Sequence, residues 1–534
     1  MKAICKMRLR HIFAILLLAV IGTTSAKPRL VVNIVVSGMR QCDLNRYEKN
    51  FGEGGFRRLV REGATFTECY ADYAPTTSEA GLATLATGAT PSTHGIFSDR
   101  GFDRTANKEF ALCHKEPSTR DELLGTRVES SFSTNHLFAE TLAELSCAHN
   151  KQGRAITIAH NALSAILLAG KRGEAYWIGE NGSWTTADCY SDTLPSWVNT
   201  YNSDDLNRVF AAGSWYGRYT RDKYRNTRAT DITLYESDNA KQTKSVATTT
   251  TNWISALHSR PSGNIALFEF AKRAVGSLLP LHIEDECKVL NICLDVPRYI
   301  AEHYGADSIE YEDTLYSIDA MLAEFLGFLY AQFPSREDLV VVLTSDGGIS
   351  PTHLDNNDGE RFNSRQFEVI LNAFLGARYG QDSWIAGYFD GSLYLNHDVV
   401  YRHKQSLSDI QNEVATFALQ FRGVANAITA TALRNAQFTR NEMSLVQSGY
   451  NPRTSGDVMI LLEPKRIERS EMKVAMSGSI YHYDRHIPLI ICGGGVAPTT
   501  TGKRVSNDQI APTIARLLNI SSPLCATGNV IEIR

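Results

Sequence analysis

Residues 339–348 read LVVVLTSDGG, a nearly unbroken apolar run that ends in Ser345-Asp346-Gly347-Gly348. A short apolar run closed by turn residues marks a strand buried on both faces, as parallel sheets require. Open α/β sheets hold their ligands outside the carboxyl ends of such strands, which makes Asp346 a candidate site residue. The same apolar character recurs at Leu30–Val36 (LVVNIVV), 155–159, Lys288–Leu294 (KVLNICL), Val458–Leu462 and 487–492. Helical patterns lie between these runs. A small-residue helix is expected from about 79 to 87, others near 137–148, 407–421 and 508–518. A strongly amphipathic one carries Leu315, Ile318, Leu322, Phe325 and Leu329 on one face. Strands alternating with helices predict an α/β fold, a mainly parallel central sheet sandwiched by helices. Two stretches, about 175–280 and 396–475, lose that rhythm and are read as cap insertions, the first rich in aromatic, Asn, Ser and Thr residues.

The 534 residues are 43% hydrophobic and 21% charged, an ordinary globular balance. Lys2, Lys6, Arg8 and Arg10 precede an apolar run at 12–21 that closes with Thr24-Ser25-Ala26. Basic flank, short apolar core and small residues are the pattern of a secretory signal peptide, here residues 1–26, cut after Ala26. A membrane anchor needs about 20 apolar residues, more than this run supplies. An exported, periplasmic or envelope-associated chain with no membrane span after cleavage follows, with 27–534 as its single domain. That mature chain keeps 50 basic against 58 acidic residues, a formal charge of −8 without a basic cluster, which argues against nucleic-acid binding. Nine cysteines remain, and some are expected to pair in an oxidising compartment; none forms a CxxC, so zinc-knuckle chemistry is excluded.

The densest motif region is 72–95, DYAPTTSEAGLATLATGATPSTHG. Ser78 falls at the start of its helix, where a hydroxyl usually serves as a cap. The same place suits a nucleophile facing an anion held by free N–H groups. With VVNIVVSGMR, RYIAEHYGADSIEYEDTLYSID, VVLTSDGG, GYNPRTSGD, YHYDRHIPLIICGGGV and DQIAPTIARLL in this order, the chain resembles the alkaline phosphatase superfamily. It is most similar to the single-chain bacterial phosphatases with a Thr nucleophile, which are related to the nucleotide pyrophosphatase/phosphodiesterases.

That resemblance implies two zinc ions, a hydroxyl nucleophile between them and polar side chains holding the phosphate. It places the nucleophile at Ser78. The metal positions fall on Ser37, Arg298, Glu302, Asp346, Gly347 and Ser477, where the family pattern has Asp, Asp, His, Asp, His and His. The phosphate-holding positions fall on Asp99, Asn161 and Leu163 in place of Asn, Lys and Arg. His94 and His486 correspond to residues outside the metal set and are expected to be structural.

Zinc needs three or more His, Asp, Glu or Cys donors per ion, and only Asp346 is kept in kind. The expectation is an exported pseudophosphatase without a cofactor, serving as a binding or scaffold component for an unidentified envelope protein or ligand. The alternative is an active phosphomonoesterase or phosphodiesterase using Ser78 with zinc or another divalent ion at Asp346 and Glu302. A sulfatase would need Pro and then Arg beginning two residues after the nucleophile, which TTSEAG lacks. Surviving carboxylates without metal need positive charge, so Arg298 is expected to pair with Asp346 or Glu302. Mass spectrometry of the exported chain should find Lys27 as its first residue; a retained Met1 would contradict the signal-peptide reading.

Overall fold

The computed structural model describes residues 27–533 except 105, 114–127, 130, 131, 150–152, 213, 236–252, 280–286, 353–360, 440 and 469–472. The proposed signal peptide at 1–26 therefore lies outside the described residues. Strands Leu30–Val36, Lys288–Leu294 and Arg154–Ala159 stand side by side in parallel, with Leu339–Thr344 on the other flank of Leu30–Val36. Every residue of Lys288–Leu294 and Leu339–Thr344 is buried, as their apolar sequences require. His486–Gly493 runs antiparallel to Leu339–Thr344 and joins it to Ala64–Tyr70. The sheet is mainly parallel, with helices on both faces and a separate core cluster on each. Among the described residues, no helix is long and apolar enough to cross a membrane.

One strand escaped the sequence reading, and two local expectations need correction. Ala64–Tyr70, ATFTECY, is a strand of the central sheet, although its polar Thr and Glu hide the pattern. Residues 175–187 are sheet as well. Strands Glu174–Ile178 and Trp184–Ala187 extend the central sheet as an antiparallel pair, and Trp184 stacks on Phe270 at 3.9 Å. The 396–475 stretch belongs to a second, four-stranded sheet that begins earlier, at Ile385–Phe389, and is ordered with Ser392–Leu395, Val458–Leu462 and Val424–Thr429. It has its own core around Phe367, Leu371, Trp384 and Val458. The expected cysteine pairing is also not met among Cys42, Cys69, Cys113, Cys147, Cys287, Cys293, Cys492 and Cys525, which are free thiols. Five of these (Cys69, Cys113, Cys287, Cys293 and Cys492) are buried and behave as small apolar side chains.

The helix Ile309–Gln332 does more than bury its apolar stripe. Ser308 caps it through Tyr311 N, and Glu310 and Glu312 sit in the first turn, where the helix dipole favours them. Its acidic residues hold the segment at 215–231. Glu312 accepts from Arg225 N and Asn226 N, each at 2.8 Å. Asp313 accepts from Trp215 Nε1 at 2.8 Å, Arg218 N at 2.7 Å and Tyr224 Oη at 2.5 Å. Buried donors stripped of their acceptor cost about 1–3 kcal/mol each. Asp313→Ala should therefore lower stability by roughly 3 kcal/mol or more, read as an earlier urea midpoint in tryptophan fluorescence. An unchanged midpoint would refute that anchoring role.

Candidate functional site

Strand register brings the site together. Val35 pairs with Thr344 and Val36 with Leu294. Two residues beyond the first pair, Ser37 and Asp346 stand level with each other, and the helix Val296–Tyr304 starts beside them. Both hydroxyls of the site point at one carboxylate. Ser37 Oγ donates to Asp346 Oδ2 at 2.5 Å, and Ser78 Oγ donates to the same oxygen. Gly38 N donates to Asp346 Oδ1 at 3.0 Å. Burial pushes the Asp346 carboxyl above its usual range, while Arg298 and the donors from Ser37, Ser78 and Gly38 oppose that shift.

Ser78 is not the helix cap. The helix spans Ser78–Thr87, and Thr77 caps it by accepting from Ala80 N at 3.2 Å. Ser78 occupies the first helical position, which leaves its hydroxyl for Asp346. The small residues of this helix permit the approach: a Cβ on Gly81 would lie 1.7 Å from the Asp346 carbonyl oxygen. Helix and strand end are in contact because that position carries no side chain.

Arg298 sits among the remaining groups, with only 12% of its side chain exposed. Its Nε donates to Ser37 Oγ at 3.2 Å and its Nη1 to Glu302 Oε1 at 3.1 Å. Of the two carboxylates expected as partners, Glu302 takes the direct ion pair; Asp346 is reached through the Ser37 hydroxyl. Burial works against this guanidinium's charge, yet Glu302 foremost, with Tyr299, Glu79 and Asp346, holds it protonated well above its usual value. Lys473, which no motif points to, binds the other Glu302 oxygen at 3.1 Å. Glu302 is thus held by two cations.

Asn161, another expected position, reaches a neighbour of this relay. Asn161 caps the helix Ala162–Ala169 through Ser164 N and donates to Tyr299 Oη at 3.0 Å, beside Arg298. Leu163 is in the first turn of that helix. Asp99 is exposed and lies 3.7 Å from Arg100. Gly347 is buried, and a Cβ there would meet only Thr76 O at 3.5 Å and Asp484 O at 3.6 Å. Ser477 is partly buried and lines a cavity of about 80 Å³ beneath the second sheet. Glu79, next to Ser78 and missed as a site residue, is pushed up to about 7 by burial, against the pull of Arg298 and with help from Asp99 and Asp390. Asp295 was also missed: it accepts from Ser164 Oγ at 2.6 Å and His160 N at 3.0 Å at the next strand end.

The two histidines are tied into the fold. His94 accepts from Ile96 N at Nδ1, bonds Thr84 Oγ1 through Nε2, and burial lowers its pKa to about 3. His486 lies 2.7 Å from Thr67 O and stacks on Tyr70.

Over residues 31–465 the chain matches the family described as type I phosphodiesterase / nucleotide pyrophosphatase. It belongs to that family, within the alkaline phosphatase superfamily. A protein of Myroides odoratus named calcium-transporting ATPase is 28% identical, over 95% of this chain and 94% of its own. Alkaline phosphatase PhoV of Synechococcus elongatus is 27% identical over 96% and 94%. The crystal structure of alkaline phosphatase PafA superposes with a TM-score of 0.83 at 25% identity, covering 95% of this chain and 98% of that one. The phosphodiesterase-family fold, with its mainly parallel sheet, is therefore the fold of this chain.

Removing one partner of a buried ion pair strands the other, at about 3–5 kcal/mol. Because Lys473 still holds Glu302, Arg298→Met should cost the lower end of that range or less, and a double-mutant cycle of thermal unfolding with Glu302→Gln should show the two side chains coupled. Strictly additive effects would show that the two side chains do not interact.

Proposed function

We propose that this chain is an exported pseudophosphatase that keeps the family fold without its two-zinc site. In this reading it serves in the cell envelope as a binding or scaffold component. The observation carrying it is the Arg298 guanidinium, bonded to Ser37 and Glu302 among the positions where the family resemblance puts metal ligands. A fixed cation there opposes a dication. The donor set disagrees with zinc independently of that charge. Of the six positions, only Asp346 and Glu302 are carboxylates; Ser37, Gly347 and Ser477 supply no strong donor, and Arg298 supplies none. Glu302 is further occupied by Lys473. The phosphate side is equally altered, since Asp99 brings negative charge and Leu163 removes a cation.

Phosphate-ester hydrolysis is among the slowest uncatalysed reactions, and two metal ions normally supply charge neutralisation and an activated nucleophile. Without them, a Ser hydroxyl donating to a buried carboxylate is a structural hydrogen bond. A second reading, a phosphatase or phosphodiesterase using Ser78, is favoured by that hydroxyl's place at a helix start beside Asp346. The names of the phosphatase relatives favour it too.

Elemental analysis of the purified mature chain separates the two readings. Well under one zinc per chain is expected, with background turnover of p-nitrophenyl phosphate and its diester in added zinc. Stoichiometric zinc with turnover abolished by Ser78→Ala would overturn the pseudophosphatase reading. The combined replacement Ser37→Asp, Arg298→Asp, Glu302→His, Gly347→His and Ser477→His should restore zinc binding, and position 347 has room for the first side-chain atom.

A further inference from the structure

The cavity that Ser477 borders lies between the strand Val458–Leu462 and the turn preceding His486–Gly493. Met459 and Ile480 give it apolar walls, and Asp390, Glu468 and Asp484 bring three carboxyl groups to its lining. Among the described residues of its lining the one guanidinium is Arg466, which is paired with Glu463 at 3.0 Å. Of the cations nearest Asp390, Lys473 binds Glu302 and Arg100 lies beside Asp99. Asp390 itself accepts from Ser98 Oγ.

Asp484 is the informative member. It is 1% exposed, and its Oδ2 accepts from Ser479 N at 2.8 Å. Its Oδ1 has no hydrogen-bond partner. Leaving a buried acceptor unsatisfied costs about 1–3 kcal/mol, and more if it is charged. Native proteins therefore rarely leave such a group without a bound partner. For the ionised carboxyl the missing partner is a donor, and the acidic surroundings favour a positive one. Apolar walls beside carboxylates suit a molecule with a short hydrocarbon body and a charged head.

We propose that this cavity binds a small organic cation, an alkylammonium of a few heavy atoms, with Asp484 as its anionic partner. About 80 Å³ is room for several waters or for one such molecule. Burial pushes the Asp484 carboxyl up to about 7, and burial together with Asp390 pushes Glu468 up to about 8. A bound ammonium relieves both, adding its charge to that of Arg40, which already opposes the shift of Asp484. The site stands whether or not Ser78 is catalytic, because Ser78 does not line it.

Calorimetric titration of the mature chain with propylammonium chloride, and separately with 1-propanol, tests the proposal. Saturable binding of the ammonium and none of the alcohol is expected. Asp484→Asn should weaken the ammonium about tenfold, the loss of one charge-assisted hydrogen bond. Glu468→Gln should weaken it severalfold and decides the matter if Asp484→Asn does not fold. Absence of saturable binding would mean a water-filled cavity, equal binding of 1-propanol an apolar one, and unchanged affinity in the folded variants a different site. Each of these results overturns the proposal.

Discussion

A carboxylate at the end of a fully buried strand has to be neutralised where it stands, and the carboxyl end of this sheet is arranged around that demand. Asp346 is 1% exposed and is served by two hydroxyls and a backbone N–H. Positive charge comes from Arg298, which is linked to it through Ser37 and in turn holds Glu302. Neutral donors alone would leave Asp346 without a compensating charge in a low-dielectric pocket, where an ionised carboxylate is most costly. The guanidinium suits the position because its planar fork serves an ion pair and a hydroxyl at once, and because it stays charged when buried.

The central strands were legible in the sequence because burial on both faces leaves unbroken apolar runs. Leu30–Val36 and Lys288–Leu294 have the boundaries their residues suggest. Ala64–Tyr70 was not legible, because Thr65, Thr67 and Glu68 interrupt its apolar pattern near the sheet margin. The hairpin at 174–187 was obscured by its Gly-Glu-Asn-Gly turn, which resembles loop composition. In the site, Ser37, Ser78, Arg298, Glu302 and Asp346 could be placed by motif order, and register does bring them together. Thr77 displaced Ser78 as the cap because the helix starts one residue earlier than its apolar spacing indicates. Lys473 could not have been found from the sequence, since its partner lies 171 positions away and no pattern connects a lone lysine to Glu302.

The helix Ile309–Gln332 illustrates a second kind of illegibility. Its apolar stripe is plain, yet Glu310, Glu312 and Asp313 look like a solvated polar face. They are buried because backbone and side-chain donors from 215–231 converge on them. Acidic residues at the start of a helix read equally well as dipole complements or as acceptors for a docked segment. Only the tertiary partner distinguishes the two.

A bridge made of side chains differs in kind from one made by a dissociable group. A metal centre stabilises a fold in proportion to the logarithm of free metal over its dissociation constant, so its scaffold weakens when the surroundings are depleted of metal. Arg298 is tethered two residues along the helix that follows its own strand, and its local concentration does not change with the medium. The link from Ser37 through Arg298 to Glu302 is therefore built entirely from groups of one chain, and its strength is set by the fold.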